Sequence, residues 1–173
     1  MESIKVTQSA LIELIPYPRH KELKRQLYDD LLNYKDKQNH TTNVKAVMTE
    51  WDIISSEIQY LKDYIIGSLK KLPLRHDWGP GGDFEFKNFW ANVYRYEDWT
   101  CTHNHTTEDL TMVYFLTEGE GDAPLMIDES KTLIQPKEGV FALFPGYINH
   151  GVPKHKSNNV RITLSADINR VRD

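Results

Sequence analysis

The sequence contains a single cysteine, Cys101, which rules out an internal disulfide framework and fits a reducing, cytoplasmic setting. No uncharged apolar run approaches the roughly 18–20 residues that a membrane span needs; Val140 to Pro145 is among the longest. The opening Met-Glu-Ser-Ile-Lys lacks a basic stretch leading into an apolar one, so no secretory signal is expected. Positive charge is not in excess either. Lys and Arg number 21 against 25 Asp and Glu, a net charge of −4 that argues against a dedicated nucleic-acid binder. Internal repeats, low-complexity tracts and linker-like stretches are missing too, so the 173 residues are expected to form one domain, 1–173.

What is present divides into a supporting half, 1–82, and a strand-rich half, 83–173. Ile4 to Ile15 reads as one or two short strands closed by Pro16 and Pro18. Between His20 and Tyr34, Leu23, Leu27, Leu31 and their neighbours recur about every fourth residue, as on one face of a helix. A second helix is expected from a cap at Thr49, with Trp51, Ile54, Ile58, Leu61, Ile65 and Leu69 as its buried stripe and Pro73 as its stop. Beyond the turn-rich Asp77–Gly82 come short β-branched and aromatic runs: Phe84–Phe86, Phe89–Tyr96, Thr111–Leu116, Pro124–Ile127, Val140–Phe144 and Val160–Ser165. The expected fold is α+β, an antiparallel sandwich or barrel with two helices packed on one outer face.

Seven histidines are present, and four read as surface or loop residues: His20, His40, His76 and His155. His103 and His105 differ. They are two apart in an extended stretch, so both rings point to the same side and can meet at one metal ion. His150, which follows the strand Val140–Phe144 and the turn Pro145-Gly146-Tyr147, can supply a third ligand and leave the site open on one side. Arg161 sits in an otherwise apolar strand with Thr163 on its own face. An inward guanidinium needs an anion, and its forked donors match a carboxylate, either of the protein itself or of a ligand. Lys154, Lys156, Arg170 and Arg172 form a candidate basic rim.

Taken together, His103-Asn-His105, the strand Met112–Leu116, Gly139…Phe144-Pro145…His150 and Arg161-Ile-Thr163 resemble the small iron(II)- and 2-oxoglutarate-dependent oxygenases of bacteria and phages. The likeness runs from about Phe89 to Ile168. It implies a double-stranded β-helix, the jelly roll also found in cupins, with the N-terminal helices packed on one sheet. It further implies an enzyme that uses Fe(II), 2-oxoglutarate and O2, releases succinate and CO2, and hydroxylates a peptide side chain or small metabolite. On this likeness His103, His105 and His150 hold the metal, and Arg161 and Thr163 take the distal carboxylate of 2-oxoglutarate. Tyr114 is expected to join that carboxylate, and Asn92 and Tyr94 to face the chelating end. A homodimer is compatible with all of this.

The sequence departs from the commoner His-x-Asp or His-x-Glu pattern by having His at 105. Either the site has three histidines, or Glu108 or Asp109 supplies a carboxylate. The rival reading is a cupin, in which His103, His105 and Glu108 bind metal with His150 and no 2-oxoglutarate is used. A third keeps the jelly roll as a non-enzymatic ligand-binding or structural module.

Overall fold

A computed structural model describes residues 10–35, 43–72, 82–128 and 130–172. The N-terminal strand β1 (Glu13–Pro16) leads into helix α1 (His20–Asn33), which buries Leu23, Leu27 and Leu31 on one face, as the spacing predicts. The part of the predicted first strand before residue 10 lies outside the described residues, as do His40 and His76.

The second helix starts later than expected. Helix α2 spans Ser56–Leu69, and its cap is Ser55, whose Oγ accepts from Ile58 N–H at 3.1 Å. Residues 49–53 do not coil because a strand edge competes for their backbone groups. Thr49 N–H donates to Ala91 O (3.0 Å), Phe89 N–H to Trp51 O (2.8 Å), and Ile53 N–H to Phe89 O (3.2 Å). Trp51 and Ile54, expected in the buried stripe, are therefore 45% and 82% exposed, whereas Ile58, Leu61, Ile65 and Leu69 are buried.

The remaining strands are β2 (Val44–Lys45), β3 (Val47–Met48), β4 (Phe84–Tyr94), β5 (Trp99–His103), β6 (Leu110–Phe115), β7 (Leu125–Ile127), β8 (Thr132–Ile134), β9 (Val140–Pro145), β10 (His150–Val152) and β11 (Arg161–Arg170). They form two antiparallel sheets, ordered β1-β9-β6-β11-β4-β3 and β2-β5-β10-β7-β8. The expected runs become β4, β6, β7, β9 and β11. Strands β5, β8 and β10 were not expected as strands, and two of them carry histidines of the metal cluster.

Strand β11 shows how the layers are made. Ile162, Leu164, Ala166 and Ile168 join α1 and α2 in one apolar cluster on the outer face of the six-stranded sheet. The alternate residues Arg161, Thr163, Ser165 and Asp167 face inward between the sheets and are also buried. A smaller cluster of Val113, Phe115, Leu125, Ile127, Ala142 and Phe144 closes one end of that interior. The other end is polar.

Candidate metal centre

The polar end is built where β5, β10 and β11 meet. His150, first residue of β10, pairs in register with His103, last residue of β5. His105 lies two residues on, in a turn fixed from both sides: its N–H donates to Gly146 O (2.8 Å), and Gly146 N–H donates to Asp109 O (3.0 Å). A side chain at 146 would meet Glu108 O at 2.3 Å and His105 O at 2.6 Å, so only glycine permits this approach. One ligand atom from each of His103, His105 and His150 then lies within 4.8 Å of the others, a convergence suited to a single ion.

The rings are prepared for that role. Nδ1 of His103 is 2.9 Å from Cys101 O, and Nδ1 of His150 is 3.0 Å from Ile148 O. A carbonyl can only accept, so each Nδ1 carries the proton and each Nε2 keeps its lone pair. Burial pushes the His150 pKa down to about 3, with the neighbouring His103 adding to the effect. Burial lowers that of His103 as well, with His105 contributing. Both rings are therefore neutral at ordinary pH, the form that binds metal.

His105 has a partner that the sequence reading missed. Buried Asp167 brings Oδ1 to 2.8 Å from His105 Nδ1 and accepts from Asn88 Nδ2 on its other oxygen at 2.9 Å. A carboxylate behind a ligating imidazole orients the ring and raises its basicity. The signal was available: the parity that turns Arg161 and Thr163 inward also turns Asp167 inward. By contrast, Glu108 and Asp109 do not join the cluster. The turn after His105 carries them to an outer depression, where Asp109 binds Arg172 at 2.6 Å and accepts the Arg170 N–H at 2.8 Å.

Arg161 opens onto the same cavity, which spans about 440 Å³ including its mouth and is also lined by Asn92, Tyr94 and Thr163. The guanidinium is 1% exposed and lies 4.7 Å over the Tyr94 ring. Its Nε donates to Ala123 O at 2.9 Å, while Nη1 and Nη2 have no hydrogen-bond partner. A buried cation with free donors is costly without an anion, so these residues fit a carboxylate ligand. The nearby Asp122 is also buried, its oxygens accept no hydrogen bond although Oδ1 lies 3.9 Å from His155 Nε2, and burial raises its pKa. The seat of Arg161 is braced by His155, which was expected at the surface but is fully buried. Its Nδ1 accepts from Ala123 N–H at 3.2 Å and its Nε2 donates to Asn159 O at 2.7 Å.

Tyr114 is not in the cavity. Strand β6 presents Val113 and Thr111 inward and Tyr114 outward, where its hydroxyl is 2.6 Å from His20 Nδ1. His20, expected to be solvated, is half-buried and also bonds Glu138 at 2.8 Å; Lys24 takes the other oxygen of Glu138 at 2.6 Å. Nor do the lysines form a free basic rim: Lys154 and Lys156 both pair with Glu97.

Comparison with known proteins agrees with this architecture. Residues 124–167 match the family described as "Putative 2OG-Fe(II) oxygenase", a stretch that includes His150, Arg161, Thr163 and Asp167. No curated protein matches the chain. Among solved structures, a viral collagen prolyl hydroxylase from Paramecium Bursaria Chlorella virus-1, in complex with 2-oxoglutarate, is 16% identical with a TM-score of 0.64, covering 92% of this chain and 96% of its own. A prolyl hydroxylase from Trichoplax adhaerens, in complex with a hypoxia-inducible-factor peptide fragment, is 15% identical with a TM-score of 0.64, covering 92% and 83%. HygX from Streptomyces hygroscopicus, with nickel and 2-oxoglutarate bound, is 8% identical with a TM-score of 0.68, again covering 92% and 83%.

At these identities the structures speak for the fold, which is the double-stranded β-helix. Both the fold and the matched segment 124–167 are similar to those of the Fe(II)/2-oxoglutarate-dependent oxygenases. The segment 124–167 thus matches an oxygenase family of the kind the sequence resembles, the fold is the one that resemblance implied, and His103, His105 and His150 converge as a candidate metal site.

Proposed function

We propose that the chain is a 2-oxoglutarate-dependent hydroxylase whose iron is held by His103, His105 and His150, and whose primary substrate is a peptide side chain. The observation that carries this is the juxtaposition, in one cavity, of three imidazoles with free Nε2 atoms and a buried arginine with free donors. A cupin reading accounts for the imidazoles but leaves the Nη1 and Nη2 donors of Arg161 without a role. A small-metabolite substrate suits the cavity less directly than it suits an enclosed pocket, since the histidines are also reached from an adjoining surface groove.

Bound iron would supply the oxidising chemistry that couples breakdown of 2-oxoglutarate to substrate hydroxylation. The chain's own contribution is orientation and charge. Cys101 O and Ile148 O fix two ring tautomers, Asp167 steadies the third ring, and Arg161 with Thr163 holds the distal carboxylate of the cosubstrate. Asn92 and Tyr94, on the inner face of β4, narrow the cavity beside it. Three neutral ligands leave the metal's full positive charge to attract a dianionic chelator.

Anaerobic addition of 2-oxoglutarate to the Fe(II)-loaded protein tests this reading. The expected result is a weak visible charge-transfer band that Arg161→Ala weakens at least tenfold in 2-oxoglutarate affinity. A protein that binds metal but shows no band refutes it and favours the cupin alternative.

A further inference from the structure

Arg161 keeps free donors for a ligand carboxylate, and the fold encloses a carboxylate of its own close by. Asp122 is next in the chain to Ala123, whose carbonyl accepts from Arg161 Nε at 2.9 Å. Its side chain is 1% exposed. It does not line the cavity, and neither of its oxygens takes a hydrogen bond, so Nη1 and Nη2 of Arg161 stay open to a ligand. The loop that carries it is held in place. Asp122 N–H donates to Gly119 O (3.1 Å), and Glu120 O accepts from Ser157 Oγ (3.1 Å) and Asn159 Nδ2 (3.0 Å). The carboxylate is thus fixed near the guanidinium without bonding to it.

The charges that face Asp122 are few. His155 Nε2 is 3.9 Å from Asp122 Oδ1 but donates to Asn159 O, and its Nδ1 accepts the Ala123 N–H, so the ring holds one proton and no net charge. That leaves Arg161 as the buried cation beside it. On the outer side Asp122 borders a depression that also holds Glu118, Glu120 and Glu138, so solvent lies only a loop's thickness away. Burial raises the Asp122 pKa against the pull of His155, Arg161 and the Gly119 backbone, and Glu118 raises it further.

A ligand carboxylate on Arg161 upsets this balance. One guanidinium offsets one negative charge, and two carboxylates near it leave the other uncompensated in a site sheltered from water. The less costly outcome is that one of them is protonated. The ligand gains the Nη donors, whereas Asp122 has no hydrogen bond to lose, so the proton goes to Asp122. We propose that Asp122 takes up a proton from solvent when a carboxylate ligand occupies Arg161, which couples cosubstrate binding to a residue the cosubstrate does not touch. This rests on the 2-oxoglutarate-dependent reading above and adds a control by pH. By linkage, affinity is greatest below the pKa that Asp122 has in the free protein. It is lost as pH rises through the higher pKa that Asp122 has with ligand bound.

The test is calorimetric titration of the anaerobic Fe(II)-loaded protein with 2-oxoglutarate at pH 6 and pH 8. Two buffers of unlike ionisation enthalpy give the protons taken up per ligand bound. The wild type is expected to take up protons and to bind more weakly at pH 8. Asp122→Asn keeps the shape without the charge; it should lose that uptake and bind about tenfold more tightly at pH 8. Asp122→Ser, a second neutral variant, should do the same. The charge-transfer band, followed in every sample, reports an intact centre. With the band present, zero uptake in the wild type overturns the proposal whatever the variants do. It is overturned equally if Asp122→Asn takes up as many protons as the wild type or binds no more tightly. A wild type that holds metal but forms no band strikes the cosubstrate reading instead.

Discussion

Single residues in this protein do what their strand parity allows, and parity is legible only when a strand has two unlike faces. On β11 the alternation of Arg161, Thr163, Ser165 and Asp167 with Ile162, Leu164, Ala166 and Ile168 is plain, and it placed Arg161 and Thr163 correctly on the cavity side. On β6 every residue from Leu110 to Phe115 is buried, so the sequence offers no polar face to set the phase, and Tyr114 was placed on the wrong one. The outcome is testable. Tyr114→Phe removes the hydroxyl that meets His20 Nδ1 and leaves the cavity untouched. It should cost about 1 kcal/mol of folding stability in denaturant titration. Affinity for 2-oxoglutarate should not change; a tenfold loss would put Tyr114 back in the binding site. His155 was misread for a different reason. Its neighbours Lys154 and Lys156 point to solvent, and the burial of the residue between them depends on Ala123 and Asn159, which are distant in sequence.

At the scale of elements, the cluster depends on how tightly the turn into β10 is held against the segment that follows β5. His-x-His spacing announced a pair, but not that His103 would end a strand and His105 begin a turn. Nor did it announce Asp167, because that contact joins two strands far apart in the chain. The join that sets the geometry is Gly146, wedged against the carbonyls of His105 and Glu108. Gly146→Ala should push these segments apart and misplace His105 relative to His150. The expected result is a loss of metal affinity of at least tenfold, read by competition with a chelator, while far-ultraviolet dichroism still shows the sheets. Unchanged affinity would mean that the turn relaxes without disturbing the ligands. A similar competition displaced the expected start of α2. The pattern from Trp51 to Leu69 fits a helix throughout, yet the open edge of β4 claims residues 49–53 and leaves the helix to begin where Ser55 can cap it.

For the whole molecule, we propose that 1–173 folds as one unit, because the largest apolar cluster draws on α1, α2, β4, β6, β9 and β11 alike. Its polar interior then couples folding to pH. In the metal-free protein the buried His150 ring has a pKa near 3, against about 6.5 when unfolded. The unfolded chain therefore binds a proton in this window that the folded chain refuses. Stability is fully present above pH 6.5 and is lost as pH falls toward 3. Between pH 7 and pH 5 this group alone should remove about 2 kcal/mol. Asp122 acts in the opposite sense, since burial raises its pKa and the folded state then takes up its proton more readily. The two are separated by comparing wild type with His150→Gln in denaturant titrations at pH 5, 6 and 7 with a chelator present. The wild type should lose stability over that range, and the variant should lose about 2 kcal/mol less. Parallel pH profiles would show that the His150 ring accepts its proton within the fold. Saturating divalent metal should steepen the wild-type profile, because the ion and the proton compete for the same Nε2 lone pair.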